Sequence, residues 1–334
     1  MNQALRIWAV LALLSCAALF ASLATGSSAI ALPDVVRLLL QPDGSANAEV
    51  LHGLRLPRAL AAFGTGALLA LAGALLQVLL RNPLADPYVL GVSGGAAAGA
   101  LGAMLLGLGA ALMQLGAFGG ALLAIGLVFG VAYRDLSPGA ATGSASDAAP
   151  RLLLTGVMFA ALWSAVITVL LLLAPDARLR GMLFWLIGDL SGVSSPAWPL
   201  ATLAALVLAV MPLARELNVL LRGAVLAHTL GVRIAPLRRK VYGIASLATA
   251  VAVTTGGGVG FVGLVVPHAL RLVIGNDQRV LLPACALAGG SLLLLADTLA
   301  RSIVAPQQLP VGVIMALLGA PMFLFLLLRR GGAR

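Results

Sequence analysis

The chain has 334 residues, 61% of them hydrophobic and only 10% charged, with a mean hydropathy of +1.08. A soluble domain carries roughly 25% charged residues, so a soluble globular fold is excluded. About ten helices of about 20 apolar residues, each crossing a roughly 30 Å hydrocarbon layer, would account for the apolar excess. The net charge of +10 lies in short gaps between apolar runs, with no basic block interleaved with aromatics, so a nucleic-acid partner is not indicated.

The first apolar run, near 7–28, follows Arg6 and ends in small residues up to Ala29, the outline of a signal peptide. Its apolar part is longer than a signal's h-region, and it reads as an uncleaved first helix. Further runs lie near 57–80, 92–111, 114–133, 152–174, 198–214, 241–257, 259–275, 281–300 and 309–328. The two Gly- and Ala-rich runs between 92 and 133 suit close helix packing in lipid, and a single long helix plus a loop is the alternative there. Between the runs, Pro33 to Gln41 reads as a short helix opened by proline. Residues 176–197, with Arg178, Arg180 and Met182-Leu183-Phe184-Trp185, read as an interfacial helix with Trp at headgroup level. Residues 215–240 form the longest charged segment.

With ten alternating spans, most basic residues fall on the side of the N-terminus, including Arg81, Arg222, Arg239 and Lys240. The positive-inside rule then puts both termini in the cytoplasm. The expected architecture is an all-α integral membrane protein, one transmembrane domain over 1–334 with a short cytoplasmic segment at about 215–240. Cys16 and Cys285 both fall inside spans and read as small apolar packing residues.

Chemistry on the chain itself is not indicated. A phosphate-cradling loop needs G-x-x-x-x-G-K-[ST], and the only lysine, Lys240, follows Arg239. His52, His228 and His268 are far apart, so no metal site and no cofactor is expected. Asp297 is the one carboxylate clearly inside a span, and carboxylates are costly there and usually functional. An ion-gradient-driven carrier would need more than this at the midplane; it stays as the alternative to a transporter powered by ATP on another chain.

The stretch Leu54 to Ala96 carries R-L-P-R, a G-A-x-L-A-x-A-G-x-x-x-Q helix, and N-P-L-A-D-P followed by L-G-V-S-G-G-A. With GFVGLVVPHALRL and GNDQR between Gly256 and Arg279, and ADTLAR before LPVGVIMALLGAPMFLFLL, it resembles the permeases that import iron–siderophore complexes, haem and vitamin B12. These are the transmembrane subunits of type II ABC importers, and the resemblance spans essentially the whole chain. It implies ten helices per subunit in the inner membrane, a second permease copy (a homodimer, since one complete copy is present), two ABC ATPase subunits carrying ATP and Mg, and a periplasmic substrate-binding protein. The cargo it implies is a metal chelate: ferric siderophore by default, haem or cobalamin close behind.

Three groups of residues follow from the resemblance. Arg55, Arg58 and Arg301 would receive glutamates of the binding protein, as a planar guanidinium suits a carboxylate; ordinary interfacial anchoring is the alternative. Asn82, Pro83 and Leu84 would form an inner gate on the translocation path, or a plain turn. Gly223, Ala224, Val225, Leu226, Ala227, His228, Thr229, Leu230 and Gly231 would form the helix that couples to the ATPase, or a solvated loop. The family usually carries acidic residues where Ala224 and Val225 stand. Gly256-Gly257-Gly258 would break or bend a helix.

Overall fold

A computed structural model of the chain describes residues 2–26, 30–132, 148–193 and 195–331. Ala29, Tyr133, Arg134 and Arg334, on which parts of the sequence reading rest, lie outside them. The described residues are helical, with no strand among them. This follows from the solvent: in hydrocarbon, an α-helix satisfies its own backbone hydrogen bonds within one segment.

Helix α1 (Asn2–Ala24) covers the first apolar run, and the short helices α2 (Leu32–Leu40) and α3 (Ala46–Val50) follow it. Proline opens α2, and the Ser45 side chain caps α3 by accepting the Ala48 N–H at 3.2 Å. A π-helical turn, Leu51–Arg55, then runs unbroken into α4 (Leu56–Leu79). Nearly every residue of α4 is buried, so it is the central post of the bundle. Helices α5 (Val92–Leu105), α6 (Ala110–Ala132) and α7 (Ala148–Leu172) form one flank. The sequence placed the α5 span as far as residue 111; it stops at Leu105 because Gly107 turns the chain at φ +72°. That turn also rules out one long helix over 92–133.

Helix α8 (Asp176–Ile187) is the expected short helix, ended by Gly188 at φ +98°. Helices α9 (Ala197–Val210) and α10 (Ala214–Leu221) form a nearly continuous rod that outruns the apolar stretch ending near 214. After α11 (Ala224–Thr229), α12 (Ile234–Gly256) begins seven residues before the apolar run and so takes Arg238, Arg239 and Lys240 into its first turns. The glycine run does break the helix: Gly257 has φ +69° and Phe261 φ +68°, and α13 (Val262–Ile274) restarts beyond them. Helices α14 (Gln278–Ala300) and α15 (Val311–Gly331) complete the chain.

A helix therefore lies over each of the ten apolar runs. Among the described residues, six segments are long and apolar enough to cross a membrane by length and composition, and Val92–Leu105, Val262–Ile274 and Val311–Phe325 are shorter apolar helices. Around α4, glycine lets backbones touch. A Cβ on Gly66 would stand 2.3 Å from the Gly289 carbonyl oxygen of α14, and one on Gly73 1.9 Å from that of Gly263 in α13. Small residues serve this purpose where lipid supplies no hydrophobic drive between helices. Peripheral helices instead turn leucine outward, as at Leu13 of α1 and Leu172 of α7.

Candidate functional site

At the end of the bundle where α1 finishes and α4 begins, Arg55, Arg58 and Arg301 line one pocket of about 240 Å³ with Gly26, Val50, Leu54, Pro306 and Gln308. The π-turn positions Arg55, the first turn of α4 carries Arg58, and Arg301 caps α14. All three are nearly buried, at 5%, 9% and 8% exposure. Arg58 donates from Nε to Asp297 Oδ2 at 2.9 Å and from Nη2 to Oδ1 at 2.8 Å, and its Nη1 reaches Gln308 Oε1 at 2.6 Å. Arg301 holds its Nε 3.8 Å from Asp297 Oδ2 and donates from Nη2 to the Ser22 carbonyl and hydroxyl oxygens. Arg55 donates from Nη1 to the Leu23 carbonyl at 2.7 Å.

The three arginines singled out from the sequence come together in one pocket, each largely buried rather than spread over the surface. Arg58 and Arg301 share the Asp297 carboxylate while Arg55 donates to backbone carbonyls of α1, so the pocket is cationic and suited to a further carboxylate. Asp297, Ser22 and Gln308 were not foreseen as its partners. The i, i+4 spacing of Asp297 and Arg301 was the available signal; the approach of Ser22, far away in sequence, left none.

At the opposite end, α4 closes at Leu79 and Arg81 adopts φ +48°. The Leu84 N–H donates to Asn82 Oδ1 at 2.9 Å and the Ala85 N–H to the Asn82 carbonyl at 3.1 Å, so Asn82 organises the turn around Pro83. Leu84 is 43% exposed at its tip. Asp86 then accepts the Tyr88 N–H at 2.8 Å and caps a 3₁₀ turn, Pro87–Leu90, that ends at Gly91 with φ +71°. Burial pushes the Asp86 carboxyl up to about 6, against the pull of that N–H.

On this same end, residues 223–231 form α11 and its two glycine hinges. Gly223 at φ +132° and Gly231 at φ +80° bracket the helix. Ala224 and Ala227 face the bundle, while Val225 (78%), Leu226 (43%) and Leu230 (63%) face out. Of the two positions where the resemblance expects acid, only Val225 could meet a partner. His228 and Thr229 fall in the last turn, with Thr229 Oγ1 bonded to the Leu226 carbonyl at 2.9 Å.

Helix α10, which carries α11, is tied to the start of α14. Asn218 Nδ2 donates to Asp277 Oδ1 at 2.7 Å, the Gln278 N–H donates to Asn218 Oδ1 at 2.8 Å, and Arg279 forks onto Asp277. Arg279 first, then Asn218, holds the Asp277 carboxyl well below the usual carboxylate range. One helix, α14, thus ends at one side in the arginine pocket and at the other against α10, which leads into α11.

Comparison with known proteins decides the family. The model of the FecCD transport family matches residues 13–329. The chain belongs to that family. It is 44% identical over 286 residues to the cobalamin import system permease protein BtuC of Halobacterium salinarum, covering 84% of this chain and 74% of that one. It is 40% identical over 282 residues to the vitamin B12 import system permease protein BtuC of an Escherichia coli O127:H6 strain, covering 83% of both. A solved structure of a metal-chelate type ABC transporter in an inward-facing conformation superimposes with a TM-score of 0.85 at 29% identity, covering 97% of this chain and 99% of that one. This FecCD permease is accordingly a multi-pass inner-membrane transport subunit, and not an enzyme.

The remaining candidates of the permease find ordinary places. His52 Nε2 lies 3.0 Å from the Leu38 carbonyl, and the buried His268 ring packs edge-on to Phe323. Among the described residues no three His, Cys, Asp or Glu side chains gather as a metal site. Cys16 and Cys285 are free, the first exposed on α1 and the second buried in α14.

Proposed function

We propose that this permease imports cobalamin as part of a binding-protein-dependent ABC importer. The default of a ferric siderophore gives way because the relatives cited above are named for cobalamin and vitamin B12. A second copy of the chain lines the path, and two ABC ATPase subunits, holding ATP and Mg, dock beneath. The chain crosses the membrane ten times with both termini in the cytoplasm, which puts the arginine pocket in the periplasm.

One observation carries this reading: the two ends of the same bundle present opposite docking chemistries. The pocket of Arg55, Arg58 and Arg301 is cationic and shaped for carboxylates of a periplasmic binding protein, where opposite charge steers encounter and fixes register. The α11 surface is apolar and flanked by tight glycine turns, as suits a short helix seated rigidly in a groove of the ATPase. Asn82, Pro83 and Leu84, at the same end as α11, serve as the inner gate: Leu84 supplies an apolar plug, and the Asn82 turn fixes where it points. Asp297, the carboxylate an ion-coupled carrier would use, is engaged by Arg58.

The experiment is co-purification with a cobalamin-type ABC ATPase, followed by ATP hydrolysis in lipid discs with and without a vitamin B12-binding protein. The complex should form, and hydrolysis should respond to the binding protein in wild type but not in Arg55→Glu/Arg301→Glu. An assembly that forms but ignores the binding protein would remove the docking role.

A further inference from the structure

We propose that Gln77 is the positioning residue of the inner gate, a latch that holds the loop 80–91 onto α13; this rests on reading that loop as the gate. Gln77 is 3% exposed, in the last turns of α4. Its Nε2 has two hydrogens for three carbonyl oxygens within reach, one of them shared: Ala85 of the loop at 3.3 Å, and Gly263 at 3.2 Å and Leu264 at 3.3 Å in the first turn of α13. Its Oε1 accepts from Arg271 Nη1, and Arg271 Nη2 also reaches the Ala74 carbonyl at 3.5 Å.

Only a carboxamide can do both tasks at once. It offers an acceptor to a guanidinium and two N–H donors to carbonyls; glutamate lacks the donors, lysine and arginine lack the acceptor, and leucine lacks both. The carbonyls it serves are in an unusual place. Gly263 and Leu264 lie in the first turn of α13, just past the glycine break, and their carbonyls reach Gln77 on α4. Only a glycine fits there: a Cβ on Gly263 would stand 2.8 Å from the Leu69 carbonyl oxygen and 2.7 Å from Cδ of the Pro87 ring of the loop. The first turn of α13 is thus wedged between α4 and the gate loop, and Gln77 is the polar contact that joins all three. A buried polar hub of this kind is costly to leave half satisfied, so it favours a single arrangement of the loop.

The test uses the full chain in lipid discs. Amide hydrogen exchange over residues 82–91 is followed for wild type, Gln77→Glu and Gln77→Asn, together with the thermal midpoint. Gln77→Glu keeps a partner for Arg271 but loses the donors to the loop. Gln77→Asn keeps both groups on a stem one methylene shorter. The amides of Leu84, Ala85, Tyr88 and Gly91, bonded within the loop, should exchange about tenfold faster in both variants, the scale of one or two lost hydrogen bonds. Exchange in α14 and the thermal midpoint should hold. With ATPase and binding protein in proteoliposomes, cyanocobalamin imported per ATP hydrolysed should fall while hydrolysis continues.

Unchanged loop exchange in both variants overturns the latch. So does faster exchange throughout the bundle with a lowered midpoint, which would make Gln77 an ordinary core residue. Faster exchange confined to the loop, with no cyanocobalamin uptake even by wild type, would leave the latch standing and remove the importer reading instead.

Discussion

Arg58 grips Asp297 through two parallel hydrogen bonds, at 2.9 and 2.8 Å, and so fastens the start of α4 to the end of α14. Removing one partner of a buried ion pair costs about 3–5 kcal/mol, because the other charge is left uncompensated. Asp297→Ala is therefore expected to lower stability on that scale in detergent unfolding. Arg58→Met combined with Asp297→Leu should recover part of the loss, since a hydrophobic replacement of the pair is often neutral. Full stability of Asp297→Ala alone would show that the fork does not hold the helices together.

Close backbone approach makes a second prediction. Gly73→Ala and Gly66→Ala push a methyl group onto the carbonyls of Gly263 and Gly289, and overpacking of this kind costs about 1–3 kcal/mol. Gly126→Ala on α6 meets nothing within 4 Å and should be neutral or slightly stabilising, as Ala is the better helix former. Thermal midpoints of the three variants in one detergent order them; equal midpoints would mean the helices can spread without cost.

The helices were largely legible because a membrane span announces itself by apolar length. What the sequence misjudged has a physical cause in each case. Helix α12 reaches back to Ile234 because its charged first turns continue the helix past the apolar stretch. Helix α5 is short because Gly107 turns it. The arginines read as surface groups, yet the carbonyls of Ser22 and Leu23 at the end of α1 reach them and draw them in. Neither that contact nor the one between Gln77 and Arg271 has a local period to betray it; both depend on how distant helices meet.

The α11 surface should tolerate charge in the isolated subunit. Val225 is 78% exposed, and surface changes away from special features usually stay within about 0.5 kcal/mol. Val225→Asp should fold and insert normally but lose at least about tenfold in ATPase association, about 1.4 kcal/mol. Retained association, measured by co-purification at matched expression, would move the coupling surface elsewhere.

Asp86 gives a pH signature. Its folded carboxyl titrates at about 6 rather than 3.8, so between those values the folded loop holds a proton that the unfolded chain releases. Stability from this group is then present at low pH and falls as pH rises through that window. Asp277 acts in the opposite sense, its contribution being lost on acidification below the ordinary carboxylate range. The difference in thermal midpoint between wild type and Asp86→Asn isolates the first effect: the variant should gain relative to wild type from pH 4 to pH 7, and a pH-independent difference would refute it.

The central claim is that this FecCD permease imports cobalamin with energy from a partner ATPase. Its most direct test is cyanocobalamin uptake into proteoliposomes containing the permease, the ATPase and the binding protein. Uptake that needs ATP and the binding protein, and that survives collapse of ion gradients, is the expected result. Uptake that proceeds without ATP and follows a proton or sodium gradient would contradict it.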